Sequence, residues 1–242
     1  MCQQYSGLHM NSFCQESYVD SAAISVFSDS VESQLKRDIL YSLIASRIMA
    51  SSRVSESSEW YGALVYSLTR CAWMLRRETQ QFHSFEAGSC VSLKDMVAKT
   101  MLDEALKAQL ELTVETLDAL ASLTVDSAVL ERLREYSIGQ RAVKAPGAVD
   151  ESVFTVRLLL AVSKGDSKMD VIYLDFKTTE SVGERFLEQA FLTDKFTSQV
   201  CVRLCSFEQA TRAFANTRQQ IEAFVRGHKE EWMVVLPGPG RG

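Results

Sequence analysis

"SVFTVRLLLAV", residues 152 to 162, places Phe154, Val156, Leu158, Leu160 and Val162 at every second position, the period at which a β-strand returns side chains to one face. "KMDVIYLDF", residues 168 to 176, does the same with Ile172, Leu174 and Phe176. The intervening "SKGDSK" holds Gly165 and Asp166, residues suited to a hairpin loop. "TSQVCVRLC", residues 197 to 205, alternates Val200, Val202 and Leu204 and reads as a third strand. The C-terminal half therefore builds an antiparallel sheet. "ERFLEQAFL", within residues 183 to 197, fits neither period cleanly, and its fold is left open.

The chain on the N-terminal side is of a different kind. "SDSVESQLKRDILYSLIASRIM", residues 28 to 49, sets Asp29 three residues ahead of Glu32, a capping-box-like start, and spaces Val31, Leu35, Ile39 and Leu43 for a helix. "RVSESSEWYGALVYSLTRCAWMLRRETQQ", residues 53 to 81, carries Trp60, Leu64, Leu68, Cys71 and Leu75 as one apolar stripe, predicting a second helix hairpinned onto the first. Three more helices are expected, over 93–110, 114–123 and 128–136, in a stretch of strong helix formers without proline. The character changes at "GQRAVKAPGAVDES", where Gly139, Pro146 and Gly147 punctuate the chain. Past the third strand, Ser206 followed by Gln209 reads as the cap of a last helix with the stripe Ala210, Phe214, Ile221 and Val225 and a stop at Gly227. "WMVVL" suits an edge strand before Pro237 and Pro239.

Helices first, then strands and one returning helix, define an α+β class: N-terminal helices packed against a small, mainly antiparallel sheet with a C-terminal helix. The expected organisation is a polar, disordered arm over 1–22, one α+β domain over 23–236 and a flexible tail over 237–242.

Of the 242 residues, 46% are hydrophobic and 24% charged, the composition of a folded chain and not of a disordered one. A formal net charge of −5 without a Lys/Arg cluster offers no footprint for a phosphate backbone, so nucleic acid is not an expected partner. Apolar runs such as "LLLAV" and "WMVVL" fall far short of the ~20 residues that cross a bilayer as a helix. "MCQQYSGLHMNSFCQES" has neither a basic leader nor an apolar stretch, so a cytoplasmic protein is expected, with export by another route left open. Six scattered cysteines with no CxxC pair read as free thiols in a reducing compartment, and no metal site is expected.

The cysteines raise one chemical question. In "SQVCVRLCSF", residues 198 to 207, a strand would turn Cys201, Arg203 and Cys205 to the face opposite Val200, Val202 and Leu204. The two sulfurs then lie ~13 Å apart along the strand, at roughly 3.3 Å per residue, too far for a disulfide. Arg203 beside them would favour a thiolate, as a nucleophile or an acylation site requires. The plainer reading is that both cysteines are small core residues and that Arg203 reaches a carboxylate such as Asp175 on a neighbouring strand. Cys71 belongs to a helical stripe and reads as core. A Cys/His pair would need His83 or His228, whose spacing is no signature. Asp103–Glu104 and Glu230–Glu231 read as solvated carboxylates. Trp60, Tyr61 and Trp73 suit a core or a pocket wall. No catalytic residue is assigned.

"QLKRDILYSLIASRIMASSRV" and "EWYGALVYSLTRCAWMLRRE" resemble the opening helices of a bacterial family related to the virulence factor Evf, and "VFTVRLLLAVSKGDSKMDVIYLDFK" and "IEAFVRGHKEEW" are compatible with the rest of it. The resemblance implies a cytosol-made bacterial protein that acts in host interaction and carries palmitate as a thioester on a buried C-terminal-half cysteine. Cys201 or Cys205 would be that position here, Cys201 first, and palmitate is the one bound group it implies. This sequence departs from the family in offering two cysteines with Arg203 between them. The partners so implied are a fatty acyl chain and a membrane surface or host factor. Two other readings remain: a non-enzymatic, toxin-like or partner-binding module acting through amphipathic helices, and an acyltransferase with Cys201 as nucleophile.

Overall fold

Two long strands, Glu151–Gly165 (β6) and Lys168–Thr178 (β7), pair antiparallel at the centre of a computed structural model. It describes residues 16–20, 23–54, 57–103, 106–124, 127–143, 151–228 and 234–237. The other strands of this sheet are Glu16–Asp20 (β1), Ala23–Phe27 (β2), Trp73–His83 (β3), Ile138–Val143 (β5), Val200–Gln209 (β9) and Val234–Pro237 (β10). Their order is β10-β1-β2-β6-β7-β9-β3, with β5 also on β6. All pairings are antiparallel except β2 with β6, which run parallel from Ala23 opposite Leu159 to Phe27 opposite Ser163. Cys90–Ser92 (β4) and Ala190–Leu192 (β8) form a separate two-stranded sheet.

The alternation in β6, β7 and β9 decides what each face meets. Val156, Leu158, Leu160, Ile172, Leu174, Val200, Val202 and Leu204 join one core with the helices Leu93–Asp103 (α3), Lys107–Ala121 (α4) and Ala128–Ser137 (α5). Leu159, Ala161, Val171, Tyr173, Cys205 and Phe207 join a second core with Ser33–Arg53 (α1), Ser57–Arg70 (α2) and Thr211–Gly227 (α6). The α+β reading stands, in the form of three layers with helices on both faces of the sheet.

α1 is buried along most of its length, and this covers charged groups. Asp38 takes both ends of the Arg218 guanidinium, at 2.9 and 2.8 Å, and also accepts from Gln34 and Gln209. Arg47 pairs with Asp20 at 3.5 Å. Buried charges persist where they are paired and hydrogen-bonded in this way.

Several expectations need correction. The second helix stops at Arg70, because Cys71 and Ala72 turn the chain, Ala72 with φ 61°, and residues 73 to 83 are strand β3. Strands β1, β2, β4 and β5 were not expected, and β1 lies inside the presumed arm, with Tyr18 fully buried. In place of one helix over 93–110, the described residues hold two, α3 as Leu93–Asp103 and α4 as Lys107–Ala121. Ser206 caps no helix: it belongs to β9 and donates to Asp170 at 2.6 Å, and α6 begins at Thr211. No side-chain cap closes the start of α1 either. The open segment holds β8 and the 3₁₀ turn Thr193–Lys195. The expected edge strand is β10, paired with β1. Residues 1 to 15 and 238 to 242, which make up most of the expected arm and tail, lie outside the described residues.

Candidate functional site

Strand register sets a grid of side chains on the face that α2 covers. Arg157, Asp175, Cys201 and Phe82 lie in one line across β6, β7, β9 and β3. Leu159, Tyr173, Arg203 and Gln80 form the next line, and Ala161, Val171, Cys205 and Glu78 the third. Directly opposed residues on one face stand about 5 Å apart at Cβ, so the three charged groups of the first two lines are close neighbours. The grid brings Cys201, Arg203 and Cys205 to one face, with Asp175 on the adjacent strand.

α2 closes part of this face with two aromatic rings. Tyr61 stacks on Tyr173 with centroids 5.2 Å apart, and Trp60 lies 5.9 Å from the same ring. The Arg203 guanidinium sits 5.2 Å from the Tyr61 centroid, a cation–π distance. The Tyr61 hydroxyl donates to Cys205 Sγ at 2.9 Å. Gln80 Nε2 meets Cys201 Sγ at 3.5 Å. Cys205 is 0% exposed and Cys201 7%, so both thiols belong to the helix–sheet junction.

Burial dominates the electrostatics. It pushes the Cys205 thiol up to about 11, against the downward pull of the Tyr61 hydrogen bond. Burial also raises Cys201, Asp175 adds to the rise, and Arg203 and Gln80 pull it down without reversing it. The activation expected from Arg203 is thus real in sign and outweighed in sum: a desolvated thiolate beside a carboxylate is the costlier form. Asp175 is itself raised by burial, against Arg203, Arg157 and Lys177. Tyr173 is raised by burial and then by Asp175, with Arg157 and Arg203 opposing.

The other candidates disperse. His83 lies opposite Val200, one position along from Cys201 and on the other face, 3.5 Å from Thr100 Oγ1. His228, exposed at the end of α6, donates from Nδ1 to the Phe224 carbonyl at 2.8 Å. Cys71 is buried beside Ser46, as its stripe implied. Trp73 is core, packed edge-on to Phe214. Asp103 closes α3, and Glu104, Glu230 and Glu231 lie outside the described residues. Among the described residues no group of three or more His, Cys, Asp or Glu is placed to hold a metal ion, and no helix is long and apolar enough to cross a membrane. Arg157, Tyr173 and Gln80 were not singled out from sequence. The available signal was that Arg157, Asp175 and Arg203 each interrupt an apolar strand at a position of the same face.

The layout defines a three-layer protein with a mixed sheet at its centre. No protein-family model matches the chain, and no curated protein does. Among solved structures it is similar to a delta-endotoxin at 13% identity and a TM-score of 0.41, over 76% of this chain and 80% of that one. It is also similar to the activated Cyt2Ba monomer from Bacillus thuringiensis subsp. israelensis, at 11% identity and 0.36, over 76% and 96%. A third similarity is to the Evf virulence factor, at 9% identity and 0.36, over 86% and 79%. At these values nothing about function follows from the likeness.

Proposed function

We propose that the chain is a bacterial host-interaction protein that carries a fatty acyl group as a thioester on Cys201. The host-interaction part rests on the sequence resemblance. The observation that supports the site is the setting of Cys201: a nearly buried thiol whose register partner on the same face, Phe82, is 57% exposed on strand β3. An acyl chain attached there has an apolar surface beside it, and each methylene withdrawn from water contributes about 0.8 kcal/mol. Cys205, fully buried and engaged by Tyr61, is the less open of the two.

Acylation transfers the acyl carbon from a donor thioester to the Cys201 sulfur. The donor's thiol leaves with the proton that Cys201 gives up. A thiol held neutral by burial reacts slowly at neutral pH and turns over poorly. That favours a carrier over an acyltransferase.

Intact mass of protein made in bacteria tests this reading. A hydroxylamine-labile fatty acyl adduct is expected, lost in Cys201→Ser and retained in Cys71→Ser. An unmodified mass with normal folding overturns it, and an adduct that survives loss of both Cys201 and Cys205 overturns the site. The second reading, a toxin-like or partner-binding module acting through its amphipathic helices, is favoured by Tyr66 of α2 and Phe224 of α6, which leave aromatic surface exposed on the helical layer. Release of dye from phosphatidylcholine vesicles by unmodified protein is its expected signature.

A further inference from the structure

Two buried polar atoms on this face of the sheet lack partners. The hydroxyl of Tyr173, a residue only 2% exposed, has no hydrogen bond, and neither does the buried Nε of Arg157. Orphaned buried donors of this kind cost free energy and call for a reason. Arg157 stands opposite Asp175 and diagonal to Tyr173. Arg203 stands opposite Tyr173 and diagonal to Asp175.

From this geometry we infer that Arg157, Arg203 and Tyr173 form a binding site for the carboxylate of an apolar-tailed ligand. The site goes beyond the thioester reading, because it does not require Cys201 to be acylated. Arg157, Arg203 and Lys177 all act on the Asp175 carboxylate, and Glu78 lies diagonal to Arg203, so these five groups leave one formal positive charge, which matches a monoanion. A phosphate dianion would bring excess negative charge against Asp175. Arginine forks suit the planar two-oxygen geometry of a carboxylate, and the Tyr173 phenol, held protonated by burial, is a donor without an acceptor. Arg157, Asp175 and Arg203 are each partly exposed, whereas the two orphaned atoms are covered. Trp60, against Tyr173, and exposed Phe82 are the apolar surfaces that border it.

Calorimetric titration of octanoate into full-length Cys201→Ser protein, which can hold no adduct at that position, tests the site. Saturable one-to-one binding is expected. Octanol, with the same tail and no carboxylate, should not bind. Tyr173→Phe, which keeps the ring stack and removes only the hydroxyl, should weaken octanoate about tenfold. Arg157→Gln should weaken it at least as much. No octanoate binding, equal binding of octanol, inorganic phosphate binding as tightly as octanoate, or unchanged affinity in Tyr173→Phe would each overturn the inference. The two readings fail separately: an adduct without octanoate binding removes this site alone, and octanoate binding without an adduct removes the thioester alone.

Discussion

Tyr61 on α2 donates its hydroxyl proton to the sulfur of Cys205 on β9 at 2.9 Å, joining the helical layer to the sheet where both side chains are buried. Tyr61→Phe keeps the stack on Tyr173 and removes only this bond. The expected loss is about 1 kcal/mol, read from the urea midpoint. A double-mutant cycle with Cys205→Ala should return a coupling of similar size. Strictly additive single mutants would show that the bond contributes nothing in solution.

Asp38 is more heavily committed, with Arg218, Gln34 and Gln209 all donating to one buried carboxylate. Removing the cation leaves that charge desolvated. Arg218→Ala should cost about 3 kcal/mol, the low end for a broken buried pair because Arg218 keeps a third of its side chain in solvent. Adding Asp38→Asn should recover part of the loss. A variant still worse than Arg218→Ala alone would point to packing instead of charge.

Asp175 sets a pH dependence. Burial holds its carboxyl above the ordinary range, and Arg203 and Arg157 pull against that without reversing it, so the folded chain binds this proton more tightly than the unfolded chain. The resulting stabilisation is fully present below the unfolded pKa of about 3.9 and is lost as pH rises through the higher folded value. Asp175→Asn removes that loss. It should melt at a higher temperature than wild type at pH 7, with the gap narrowing as pH falls towards 4. A gap that widens on acidification would reverse the sign assigned here.

Ala72 marks the point where α2 gives way to β3, and its φ of 61° is left-handed. An L-residue with a Cβ pays about 1 kcal/mol to stay there, a cost glycine avoids. Ala72→Gly should therefore raise stability by up to about 1 kcal/mol, and Ala72→Val should lower it by more. Thermal unfolding of the pair checks both signs, and a destabilised glycine variant would mean that the turn is not strained.

That turn also explains where sequence reading stopped. Leu75 continues the helical stripe of Leu64, Leu68 and Cys71 on paper, and the reversal at Ala72 depends on backbone pairing with β9, which no local period encodes. The central strands were legible because Val156, Leu158 and Leu160, like Ile172 and Leu174, alternate strictly over a face buried on α3 to α5. Cys201, Arg203 and Cys205 could be assigned to one face for the same reason. Arg157 and Tyr173 could not be added to them. Their neighbourhood is made by register between strands, and a one-residue slip would have turned each to the opposite face.

The pairing of β1 with β10 sets Glu16 against Pro237, so the sheet margin is stitched from one segment and another synthesised much later. Until the late segment leaves the ribosome, the early one presents an unpaired ribbon edge, open to the wrong neighbour. Synthesis is therefore a stage at which this edge is open to aggregation, and chaperone cover there would protect it.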